Sequence, residues 1–161
     1  MGWFFNKDKG KDKEHASAPA GTSSTSSPDF NVLASQARNN PNSRAEMDAL
    51  WGAVYSLPSW IFIDAGTFPD SHPATAVIDG TRYVMGFTDH PAADYYWQGA
   101  GVTADRMILD IVTAAQMIFE LEARGATHVL FNYGPNQFFC PIQNIAHMYD
   151  YFNKEKFPLP Y

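Results

Sequence analysis

The chain predicts an α+β fold, with helices packed on a mainly antiparallel sheet and a disordered N-terminal tail ahead of them. Three observations carry that expectation. Two strand-like runs flank Asp79-Gly80 in "ATAVIDGTRYVMGFTD" (74–89), the pair a type I′ hairpin turn needs because both central residues take positive φ. "SWIFIDA" (59–65) is a run of β-branched and aromatic residues bounded by polar ones, as a strand should be. The stretches around these two place their apolar residues at the spacing of a helix.

Taken in order, residues 1–41 read as tail and linker. Lysine alternates with Asp, Gly and Glu over 7–14, and "ASAPAGTSSTSSP" (16–28) is small and polar. Neither part buries enough apolar area to offset the entropy of ordering it. Trp3-Phe4-Phe5 is the apolar patch of this stretch, too short for the core of a signal peptide. It reads either as an unselected start or as a short sticky peptide for a membrane or a partner. The folded domain spans 42–161. Ser43 and Glu46 have capping-box spacing. Met47, Leu50, Trp51 and Val54 share one face of the helix they open, and Pro58 stops it. In the strand that follows, Trp60 and Phe62 alternate with Ile61 and Ile63, so both faces are apolar and both must be covered. After the hairpin, Thr88 or Asp89 caps a short helix that opens near Pro91 and runs to about Gln98.

Thr103 then caps a longer helix in which Met107, Ile108, Ile111, Val112, Ala115, Ile118 and Phe119 recur at helical spacing. Asp105, Asp110, Glu120 and Glu122 form its solvated face, and Gly125 ends it in a left-handed conformation. "THVLFN" is the next strand. "PIQNIAHMYDYF" is a final helix with Pro141 in its first turn, which makes "FNYGPNQFFCPI" (131–142) a strand–turn–helix connection with Phe131 and Phe139 packing inward.

Composition removes several classes of function. Hydrophobic residues make up 45% and aromatic ones 15% of 161 residues, enough for one dense core. Cys140 is the only cysteine, so no intrachain disulfide forms. No stretch approaches the roughly 20 apolar residues of a membrane span, which leaves a cytoplasmic protein of bacterial type as the expectation. The net charge is −6. Residues 1–39 carry five cations and four anions, a net +1, so the rest carries −7. An acidic body with no lysine between Lys13 and Lys154 argues against nucleic-acid binding.

Three stretches, "LWGAVYSLPSWIFI", "AVIDGTRYVMGFTD" and "GATHVLFNYGPNQFFCPI", together resemble the SseB-like (enhanced serine sensitivity) domain of bacteria. The matching positions are Asp79-Gly80, Phe87-Thr88-Asp89, and Asn132 with Gly134-Pro135; Tyr133 stands where that pattern has proline. The resemblance covers about residues 50–150. It implies an α+β domain of the SseB N-terminal type and no established catalytic mechanism.

Chemistry-bearing constellations are sparse. Cys140 sits between Phe139 and Pro141, an apolar setting that blunts a thiol, and His147, seven residues on, is about 10 Å away along a helix. Asp70-x-His72 and Asp89-His90 pair an acid with an imidazole, yet no third or fourth ligand at zinc spacing accompanies either. No metal and no cofactor is expected, and no catalytic residue is assigned. The turn Asn132-Tyr133-Gly134-Pro135-Asn136 is explained by turn chemistry; exposed amides at the mouth of a following helix would also suit a small anion or a peptide carboxylate. Tyr95, Tyr96 and Trp97 point all round their short helix, so at least one stays exposed. Rings with a polar handle are enriched at interfaces. The expected function is therefore a non-catalytic interaction module that binds a protein partner or self-associates weakly through Asn132, Tyr133, Gly134, Asn136, Tyr95, Tyr96 and Trp97. The alternative is a small-ligand binder or enzyme using the 132–139 turn with His72 or His90.

Overall fold

The computed structural model describes residues 27–158. Residues 1–26 of the tail and linker expected over 1–41, with the Trp3-Phe4-Phe5 patch, lie outside the described residues. The order of elements is α1 (Phe30–Asn39), α2 (Arg44–Tyr55), β1 (Trp60–Ile63), β2 (Thr75–Ile78), β3 (Thr81–Phe87), α3 (His90–Ala100), β4 (Arg106–Leu109), α4 (Ile111–Glu122), β5 (His128–Phe131), β6 (Phe138–Pro141) and α5 (Ile145–Asn153). The fold is α+β. The strands run β4-β1-β3-β5-β6, with β2 also paired to β3, and every pairing is antiparallel except β3 with β5.

The locally encoded elements form as the sequence expects. Asp79 and Gly80 have φ of 50° and 80°, and the hairpin they turn pairs Ile78 with Thr81. Ser43 accepts from the Glu46 amide at the start of α2, although the Glu46 carboxylate turns to the Asn40 amide group rather than closing the box. Met47, Leu50, Trp51 and Val54 are all buried. Strand β1 is covered on both sides. Trp60 and Phe62 enter a large core built with α1, α2, α4 and α5, while Ile61 and Ile63 join Phe87 and Ala93 in a smaller cluster under α3. Gly86 allows this crossing, because a side-chain carbon there would lie 3.1 Å from the Phe131 ring and 3.4 Å from that of Phe62.

Three expectations are corrected. Residues 30–39, assigned to the linker of 1–41, form α1, so the folded part begins well before 42. Phe30, Ala34 and Ala37 are buried in the main core, which supplies the apolar area that the small, polar stretch before them lacks. The helix expected from Thr103 begins at Ile111 instead, because 106–109 pair along β1 as an edge strand. Asp110 stays exposed, as expected, and also caps the shortened helix: its carboxylate accepts from the Thr113 amide at 3.0 Å. Pro141 ends a strand, not the first turn of a helix, so 131–142 is strand–turn–strand, and Phe138 rather than Phe139 enters the main core. Gly125, just past the shortened helix, does have positive φ at 96°.

Candidate functional site

The turn between β5 and β6 is held by Asn132. Its φ of 55° lies in the left-handed region, which Asn tolerates better than most residues. That conformation aims the side chain across the sheet end at Thr88, where Oδ1 accepts from the Thr88 amide at 3.0 Å and Nδ2 donates to Thr88 Oγ1 at 2.9 Å. Thr88 Oγ1 in turn donates to Asp89 Oδ2, and Asp89 Oδ1 accepts from the Ala92 amide to cap α3. Thr88 and Asn132 are both buried. One relay of hydrogen bonds therefore ties the turn to the start of α3, and Asn132 spends its polar atoms inside the protein.

Gly134 follows with φ of 142°. Its amide donates to Gln137 Oε1, and the Gln137 amide donates back to the Gly134 carbonyl. From the other side α1 holds the same turn. Asn136 donates to Asn31 Oδ1 at 3.3 Å and Arg38 to the Gln137 carbonyl at 3.4 Å. Tyr133 is left 41% exposed at the tip, its ring edge-on to Tyr96 at 5.5 Å.

On α3 the three aromatic residues have separate fates. Tyr95 is 61% exposed and leans over Gly134. Tyr96 is half-buried against Phe87 and Tyr133. Trp97 faces away from the turn: its indole N–H donates to the Ala104 carbonyl and the Arg106 guanidinium lies 5.0 Å over its ring. Arg106 also pairs with Asp94 and contacts His90 Nδ1. Trp97 is thus committed to packing, and six of the seven expected residues converge around the turn without it.

Four of the six, Tyr95, Asn132, Tyr133 and Asn136, line a groove of about 690 Å³ between the start of α1, the first turns of α3 and the turn itself. Pro91, Tyr95, Tyr133 and Pro135 supply its apolar surface, and Asp29, Phe30 and Asn31 close one wall. Its two carboxylates are already engaged. Asp29 accepts from the amides of Asn31 and Val32 at the start of α1, as Asp89 does at the start of α3. No cation lines it. The mouth of a following helix, where a small anion would sit, does not exist, because a strand follows the turn.

Neither histidine considered with the turn lines the groove. His90 is held at Arg106, and His72 contacts the Asp70 carbonyl in a separate cavity of about 370 Å³ against α4. Cys140 is fully buried in the main core, and burial pushes its thiol up to about 12, which leaves it protonated at neutral pH. His128 sits beside Tyr83 and Phe139, its pKa lowered by burial. Among the described residues no group of three or more His, Cys, Asp or Glu is placed to hold a metal. No helix of the described residues is long and apolar enough to cross a membrane.

The wall supplied by α1 was not anticipated from the sequence, yet its signal is there. Phe30, Leu33, Ala34 and Ala37 fall at i, i+3, i+4 and i+7 behind Asp29, a good capping residue. No protein-family model, curated protein or solved structure matches the chain.

Proposed function

We propose that this chain is a non-catalytic interaction module, a bacterial cytoplasmic protein of the SseB-like type, that holds an apolar or proline-containing segment of a protein partner in the groove beside α3. The observation that carries this reading is the make-up of the groove. Tyr95 and Tyr133 stand exposed in its lining together with Pro91 and Pro135, while Asn132, Asp29 and Asp89 spend their polar atoms on the walls. Rigid, half-exposed rings bring large contact area at low entropic cost. Walls fixed by hydrogen bonds need little ordering when a partner arrives. The three stretches that carry the SseB-like resemblance hold β1, the β2–β3 hairpin and β5–turn–β6.

The test is affinity capture from lysate with the intact chain and with Tyr95→Ser/Tyr133→Ser. Both rings are surface groups, so the double variant should keep the fold and lose the captured protein. Sedimentation across a wide concentration range tells a second copy of the chain from a different partner. A strict monomer whose captured proteins do not change would overturn the proposal.

A further inference from the structure

The groove lies at the root of the chain's own N-terminal segment. Ser27 and Pro28, the first described residues, already line it. Upstream, residues 6–26 hold no Val, Ile, Leu, Met or aromatic residue, and beyond them stands Trp3-Phe4-Phe5. An apolar triplet thus stands, in sequence, one polar stretch away from an aromatic and proline-lined groove. We propose that Trp3-Phe4-Phe5 docks intramolecularly in this groove, against Tyr95 and Tyr133, and so competes with the partner. The proposal rests on the same groove being a peptide-binding surface.

Reach, local concentration and charge support it. A flexible linker of 21 residues, the length of 6–26, would have a root-mean-square span of about 25 Å, more than a groove that begins at its own anchor requires. Tethering at that length sets an effective concentration in the millimolar range, so a contact too weak to detect between separate molecules is populated within one. Lys7, Lys9, Lys11 and Lys13, interleaved with Asp8, Asp12 and Glu14, follow the triplet after Asn6 and leave 7–14 with a net charge of +1, and among the described residues the groove they would approach carries Asp29 and Asp89 and no cation.

The experiment uses the full chain with Asn6→Cys carrying a nitroxide spin label. Cys140 is buried, so the new thiol alone reacts. The expected result is selective broadening of the Tyr95, Tyr133 and Asn136 amide signals, unchanged on about tenfold dilution and lost when Trp3, Phe4 and Phe5 are all changed to serine. Uniform broadening, broadening that survives those substitutions, or broadening that fades on dilution, as contact between two copies would, overturns the proposal. The two readings fail separately. If Tyr95→Ser/Tyr133→Ser loses the captured partner while the label reports no docking, only the intramolecular contact is refuted. If the label reports docking and captured proteins do not change, the partner reading falls and the contact stands.

Discussion

The relay from Asn132 to α3 makes a quantitative demand on stability. Replacing Asn132 by glycine keeps the backbone free to hold φ of 55° but removes both side-chain hydrogen bonds. The Thr88 amide, buried and satisfied by Asn132 alone at 3.0 Å, then loses its acceptor. An unsatisfied buried donor costs about 1–3 kcal/mol, so Asn132→Gly should lose roughly 2 kcal/mol. Asn132→Ala suffers the same loss and keeps the β-carbon in the left-handed region without the side-chain hydrogen bonding that lets Asn tolerate it, about 1 kcal/mol more than glycine, for a total near 3 kcal/mol. Against a typical stability of about 5–15 kcal/mol either change is large. At roughly 4 °C per kcal/mol for a domain of this size, the melting temperature falls by about 8 °C for glycine and about 12 °C for alanine. Urea titration followed by far-ultraviolet circular dichroism gives the energies, and an unchanged slope confirms that the native state, not the unfolded one, was altered. If both variants lie within about 0.5 kcal/mol of the parent, the relay is not holding the turn. If glycine alone is neutral, the backbone matters and the hydrogen bonds do not.

Further outcomes follow from single observations. Gly134→Ala should cost about 1–3 kcal/mol for its positive φ. The added carbon also comes 3.0 Å from Tyr95 Cε1, but that ring is exposed and swings aside, so Tyr95→Ala should not restore stability in a thermal melt of the double variant. Asp110→Ala should lose about 1 kcal/mol with the cap of α4. Because the Thr113 hydrogen bonds lower the carboxyl's pKa from 3.8, the carboxylate's contribution is present above that value and is lost as pH falls through the lower folded one; the gap between variant and parent should close in acid melts. His128 is shifted down from 6.5 by burial, so the unfolded chain takes up its proton first and stability falls as pH drops below about 6.5. His128→Gln should flatten that part of the stability profile. Cys140 should resist a thiol reagent in the native protein at neutral pH and react promptly in denaturant, whereas rapid native labelling would contradict its burial.

Sequence alone determined whatever depends on a few neighbouring residues. Asp79-Gly80 fixed a hairpin because both residues reach positive φ cheaply. Ser43 and Asp89 marked helix starts because their side chains accept from amides two or three residues on, and the apolar alternation of Trp60–Ile63 required a strand covered on both faces. Segments whose local pattern suits two structures were decided elsewhere. Met107 and Ile108 continue the helical stripe of Ile111–Phe119, yet 106–109 is a strand because the free edge of β1 offers a ladder of hydrogen bonds worth more than one further helical turn. Residues 138–141 follow a turn and look equally ready for a helix, but pair with β5 and bury Phe138 and Cys140. The groove is the extreme case. The turn chemistry of Asn132–Asn136 and the exposed ring of α3 were legible, but the wall from α1 and the shared Thr88 relay join residues about 40 to 100 positions apart. No local period or spacing records such a contact; it exists because burying β1 on both faces brings α1, α3 and the β5–β6 turn to the same end of the sheet.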